Sequence, residues 1–82
     1  MDFREMMKAK GLSPYKLELM TGIRHDKIQY YASGKRFPNL KNIIKLARAL
    51  ECHPTEVFES LYETYLKTEQ EVEENDYSVH GK

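Results

Sequence analysis

Cysteine is all but missing from this 82-residue chain: Cys52 stands alone, which excludes an intrachain disulfide framework and fits a reducing compartment. No apolar run approaches the roughly 20 residues needed to span a bilayer. The opening Met1-Asp2-Phe3-Arg4-Glu5 is charged and lacks the apolar stretch of a secretory signal. A cytoplasmic protein with no membrane partner is therefore expected. No internal repeat and no convincing strand pattern are present. Net charge is also missing, since 13 Lys/Arg balance 13 Asp/Glu. The balance hides an asymmetry. Residues 1–66 hold 11 basic against 8 acidic side chains, whereas 67–82 set Lys67 and Lys82 against Glu69, Glu71, Glu73, Glu74 and Asp76. A mildly basic body thus carries an acidic end, and local charge matters more than the total. The expected division is a folded domain at 1–66 and an acidic helix extension with a flexible tail at 67–82.

What is present is helical punctuation. Asp2 and Glu5 form an Asp-x-x-Glu capping box ahead of Phe3, Met6 and Met7. That helix should stop at Gly11. Ser13-Pro14 starts a second, a side-chain cap followed by proline where its missing N–H costs nothing. Leu17 and Met20 supply its apolar face, and Thr21-Gly22 ends it. A third helix is expected from about His25 to Ala32, with Ile28 and Tyr31 inward, Tyr30 outward and Gly34 as left-handed cap. Asn39 caps a fourth, with the stripe Leu40, Ile43, Ile44, Ala47 and Leu50. His53-Pro54 opens a fifth, and from about Asn75 the chain loses periodicity and is expected to fray.

The informative stretch runs from Leu12 to Arg36. Two short helices joined by a tight turn containing glycine cross steeply. Leu17 before the turn and Ile23 and Ile28 after it pin the second helix against the first. Polar residues of that second helix then project outward, and a helix of this width fits the DNA major groove. Leu12-Ser13, Leu17, Thr21-Gly22-Ile23, Gly34-Lys35-Arg36-Phe37-Pro38 and Leu40 through Leu50 keep an ungapped spacing. In these elements, residues 3–58 resemble the phage-repressor (Cro/XRE-type) helix-turn-helix family. The resemblance implies an all-α, compact five-helix, lambda-repressor-like domain with an extended C-terminal helix. It also implies a sequence-specific regulator of transcription, a repressor, whose partner is double-stranded DNA.

By that resemblance His25, Asp26, Gln29 and Tyr30 are the candidate base contacts. Asp26 suits a cytosine amino group and Gln29 an adenine. Ser13, Arg24, Lys27, Ser33, Lys35 and Arg36 are the candidate phosphate contacts, which supply affinity but no sequence information. The chain departs from the family pattern at four places. Pro14 replaces a common glutamine, and Glu18 stands where a small alanine lets the two helices approach. A partly buried carboxylate there needs a partner. Asp26 sets a negative charge near the phosphates, while Met7 and Ala32 occupy positions where many relatives carry an Arg–Glu pair.

Other features carry less. Tyr15 reads as a surface-packing residue. Cys52-His53 has no partners at metal-ligand spacing, so no metal or cofactor is expected, with Cys52 a small core residue and His53 a helix cap. No paired carboxylates, nucleophile with base, or glycine-rich phosphate loop can be assembled, so an enzyme is not expected. The chain has no room for an effector domain, so ligand sensing is not expected either. Phe58, Leu61, Tyr62, Tyr65 and Leu66, continued by Thr68 and Val72, form a stripe that suits a homodimer seam, and two-fold partners suit palindromic half-sites. A helix-turn-helix that grips another protein, as an antitoxin-like or inhibitor subunit does, is the alternative, because fold does not fix function.

Overall fold

In the computed structural model, the backbone is described for residues 1–80 and the side chains for residues 1–68. Five helices follow one another, α1 Phe3–Ala9, α2 Pro14–Thr21, α3 His25–Ser33, α4 Leu40–Leu50 and α5 Pro54–His80, with no strand among the described residues. The local signals do the work expected of them. Asp2 accepts from the Glu5 N–H at 2.9 Å while Glu5 accepts from the Asp2 N–H at 2.9 Å, closing the capping box. Ser13 and Asn39 cap α2 and α4 by accepting the N–H groups of Lys16 and Asn42. His53 Nδ1 accepts from the Thr55 N–H at the start of α5. Gly22 and Gly34 end α2 and α3 in the left-handed conformation, each at φ 81°.

The core joins all five helices. Phe3, Leu17, Ile28, Leu46, Leu50, Val57 and Leu61 are fully buried, and Met7, Ile23, Tyr31, Ala32, Ile43 and Ala47 pack around them. Four expectations change. On α4 the inward stripe is Ile43, Leu46, Ala47 and Leu50, an i, i+3, i+4, i+7 set. Leu40, at the overhanging first residue, is 70% exposed, and Ile44 lies at the edge of the stripe. Met20 on α2 is exposed because the inward side of this short helix is met by Leu17 alone. Leu61 of the proposed seam is 2% exposed and belongs to the chain's own core, one turn from Val57. The helix expected to fray from about Asn75 continues as α5 to His80.

α5 packs on α1, α3 and α4 and is stitched to the first two by polar contacts. Thr64 Oγ1 accepts from the Phe3 N–H at 3.0 Å and donates to the Ser60 carbonyl at 3.1 Å. The Met1 ammonium pairs with Glu63 at 2.9 Å, and Lys67 Nζ with Asp2 at 2.7 Å. The Thr68 hydroxyl lies 3.1 Å from the Ser33 carbonyl and 3.2 Å from that of Thr64, sharing one proton between them. Contacts to the body therefore continue past the division drawn at residue 66. Val72 and the acidic side chains from Glu69 onward lie outside the described side chains.

Candidate nucleic-acid interface

The α2–α3 corner is built from short-range chemistry. The Thr21 hydroxyl donates to the Leu17 carbonyl at 2.7 Å and accepts from the Ile23 N–H at 3.1 Å. Gly22 supplies the positive φ that the turn requires, where any other residue would be strained. Leu17, Ile23 and Ile28 are buried, so α3 is fixed by one face. Its other faces carry His25, Asp26, Gln29, Tyr30 and Ser33, none of them buried.

These side chains are not equally free. His25, the first residue of α3, is gripped from two sides. Glu18 Oε1 accepts from its backbone N–H at 3.0 Å and sits 2.7 Å from its Nδ1. The Tyr15 ring stacks on the imidazole with centroids 4.1 Å apart and planes 24° from parallel. Arg24, the residue at the cap position, makes no side-chain cap, so Glu18 caps α3 from the preceding helix. The carboxylate that departed from the family pattern has thereby found its partner. Hydrogen bonds from the His25 side chain and backbone hold the Glu18 carboxyl below the ordinary glutamate range. Among the described residues, the polar atom of His25 left without a partner is Nε2.

Asp26 accepts from the Lys27 N–H at 2.8 Å and lies 3.4 Å from Arg24 Nε. Burial works against its charge, but the Lys27 N–H and Arg24 together hold its carboxyl below the ordinary aspartate value. Arg24 also offsets part of the repulsion this acid would offer a phosphate. Gln29 is exposed and has no side-chain hydrogen bond among the described residues. Tyr30 lies beneath two cations, with Lys35 Nζ 5.8 Å and Arg36 Cζ 5.4 Å from its ring centroid. The Lys35 N–H returns to the Tyr30 carbonyl at 2.9 Å, so the loop after α3 folds back onto it. Ser33 spends its hydroxyl proton on the same carbonyl at 3.2 Å, whereas the Ser13 hydroxyl accepts at the cap and keeps its proton to donate. Arg24, Lys27, Lys35 and Arg36 are all exposed.

A helix-turn-helix family model matches residues 3–57, which span all of this corner and most of the core. The chain belongs to the helix-turn-helix family of Cro/XRE type. The chain is similar to the replication factor C small subunit of Thermococcus kodakarensis, 45% identical over 51 residues. That match covers 55% of this chain and 6% of the relative, so the chain spans only a small part of its length. No solved structure matches at a significant level. The matched family is one of DNA-binding regulators. No helix among the described residues is long and apolar enough to cross a membrane.

On α5, Phe58, Tyr62 and Tyr65 are exposed by 46%, 49% and 42%, and Leu66 is half-buried. Phe37, from the loop after α3, joins them with its ring edge-on to Phe58 at 5.6 Å and to Tyr65 at 6.3 Å. Sequence spacing assigns Phe37 no partner, because nothing local says that the loop returns to α5. It likewise misses the pairing of Tyr15 with His25. The requirement that Glu18 find a partner is the signal there. No cluster of three or more His, Cys, Asp or Glu able to hold a metal occurs among the described residues, and Cys52 is half-buried against the core.

Proposed function

We propose that this chain is a sequence-specific transcriptional repressor that binds a palindromic operator as a homodimer and acts by occupancy. The observation that carries this reading is the polar face of α3, pinned from behind by Ile28 and flanked by four exposed cations. Gln29 and Asp26 read bases, the first toward adenine and the second toward a cytosine amino group. His25 offers only Nε2 to a base and chiefly sets the start of α3. Tyr30 props Lys35 and Arg36 toward the backbone. Ser13, Arg24, Lys27, Lys35 and Arg36 hold phosphates, with Ser33 the weakest of the set because its proton is already used.

The homodimer uses the aromatic face of Phe58, Tyr62 and Tyr65 with Leu66 at its edge, and Phe37 extends it. Leu61 stabilises the protomer instead. A protein-interaction role is the second reading. It is favoured by Leu19 and Met20, exposed by 86% and 55% on the outer side of α2.

The test is binding of the full chain to DNA from upstream of its own gene and to unrelated DNA across a salt series. Selective binding that weakens steeply with salt is expected, because each phosphate contact releases counterions. Gln29→Ala should cost about 1–3 kcal/mol on the selected site and relax its specificity, while Lys27→Ala should weaken both DNAs alike. Weak, equal binding to both DNAs would overturn the repressor reading in favour of the protein-interaction one.

A further inference from the structure

Between the C-terminal half of α1, the α1–α2 corner and the edge of α3, the surface opens into a groove of about 720 Å³. That volume falls within the range of small-ligand sites. Its floor is apolar, made by the buried Met7 and Ala32 and the half-buried Leu12 and Pro14. Ala32 contributes a single methyl, and a longer side chain at this position would occupy the space. The rim is of one sign. Arg4, Lys8 and Lys35 line it, no carboxylate does, and none of the three is ion-paired among the described residues.

An apolar floor under a rim whose charges are all cationic, with Ser13, Gln29, Tyr30 and Ser33 as its neutral polar members, is complementary to a molecule with an apolar body and one negative end. A phosphodiester would satisfy the rim and leave the floor uncovered, whereas a neutral hydrocarbon would cover the floor and leave the rim unmet. We propose that this groove binds an amphipathic organic carboxylate and that occupancy competes with DNA. The competition rests on the DNA-binding reading above, because Ser13, Gln29 and Lys35 border the groove and belong to the proposed interface. The ligand is then sensed within the DNA-binding domain itself.

The test begins without DNA. The full chain, labelled with nitrogen-15, is titrated with decanoate and followed through its amide resonances. Saturable shifts centred on Gly11, Leu12, Ala32 and Ser33 are expected. The exposed pair Arg4→Gln with Lys8→Gln, outside the proposed DNA contacts, should bind about tenfold more weakly, the loss of roughly one charge-assisted hydrogen bond. Decanol, the same chain without the charge, should also bind about tenfold more weakly for that reason. Ala32→Leu should abolish binding by filling the groove, and if that variant fails to fold the rim variants decide alone. Shifts that are absent, that do not saturate, that centre on Phe58 and Tyr62, or that decanol reproduces at equal affinity would overturn the site.

In a second arm, decanoate should release operator DNA from the wild-type chain and much less from the Arg4/Lys8 variant. Saturable groove binding with undiminished DNA affinity would overturn the competition alone. A chain that binds no DNA under any condition would overturn the repressor reading, and the titration without DNA would still decide the groove.

Discussion

α3 is held at its first residue by neighbours within the same helix-turn-helix and at its last by the far end of the chain. At the start, Glu18 and Tyr15 grip His25 through a hydrogen-bonded carboxylate and a stacked ring, all partly open to solvent. At the end, Gly34 turns left-handed beneath α5, and the Thr68 hydroxyl reaches the Ser33 carbonyl across 35 positions of sequence. The start is a polar, titratable attachment that can be altered without touching the core. The end is a steric one, tied to the helix that carries the proposed dimer face. A partner that moved α5 would reach α3 through its last turn and leave its first turn to the corner.

The sharpest way to break the comparison is at Gly34. A Cβ there would overlap Thr68 Oγ1, whereas a Cβ on Gly22, at the same φ of 81°, meets nothing within 4 Å. Gly22→Ala should therefore cost only the left-handed conformation, about 1–2 kcal/mol. Gly34→Ala should cost that and the displacement of α5, about 3 kcal/mol or more in total. Equilibrium urea unfolding measures both. Equal costs would mean that α5 does not bear on the end of α3.

A smaller effect is expected at Thr68. Thr68→Ala removes the hydroxyl that serves the Ser33 carbonyl and should cost about 1 kcal/mol, a typical net hydrogen bond. Because it also removes the nearer of the two Thr68 atoms that a Cβ on residue 34 would strike, leaving Cβ at 2.9 Å, Gly34→Ala should be less damaging in the Thr68→Ala background. A double-mutant cycle reads this coupling, and strict additivity would show the contact to be idle.

How far each attachment was legible in the sequence follows from its range. Ser13-Pro14, Asn39, the Asp2–Glu5 box and Gly34 announce themselves because a cap is chemistry between neighbours. The Gly34–Thr68 contact is not written in any local pattern, and it needs α3 and α5 already in place. Leu61 shows a related limit. Helical spacing groups it with Phe58 and Tyr65, but which side of that stripe meets the core depends on where α1 and α4 lie. For the site, the polar face and its cations were readable from spacing. Which of those side chains are already engaged was not, since Tyr30 and His25 owe their partners to folding of the loop and the corner.

The smallest effect on stability, and the one that best separates the two ends, is expected from Glu18→Gln. Glu18 is partly exposed, so water screens much of what it contributes, and unfolding at neutral pH should barely shift. Its carboxyl titrates below the ordinary value when folded, so the folded chain binds fewer protons there than the unfolded one. The stability it contributes is present above the unfolded value, near about 4, and is lost as pH falls through the lower folded one. Glu18→Gln should flatten that part of the acid transition, while Asp2 and Asp26, whose carboxyls are also held low, keep the remainder. Selective DNA binding should fall more than stability does, because the substitution loosens the first turn of α3 and leaves the grip of Thr68 intact. An unchanged acid limb would show that His25 does not hold the Glu18 carboxylate. An unchanged limb together with unchanged DNA selectivity would place control of α3 entirely at its Gly34 end.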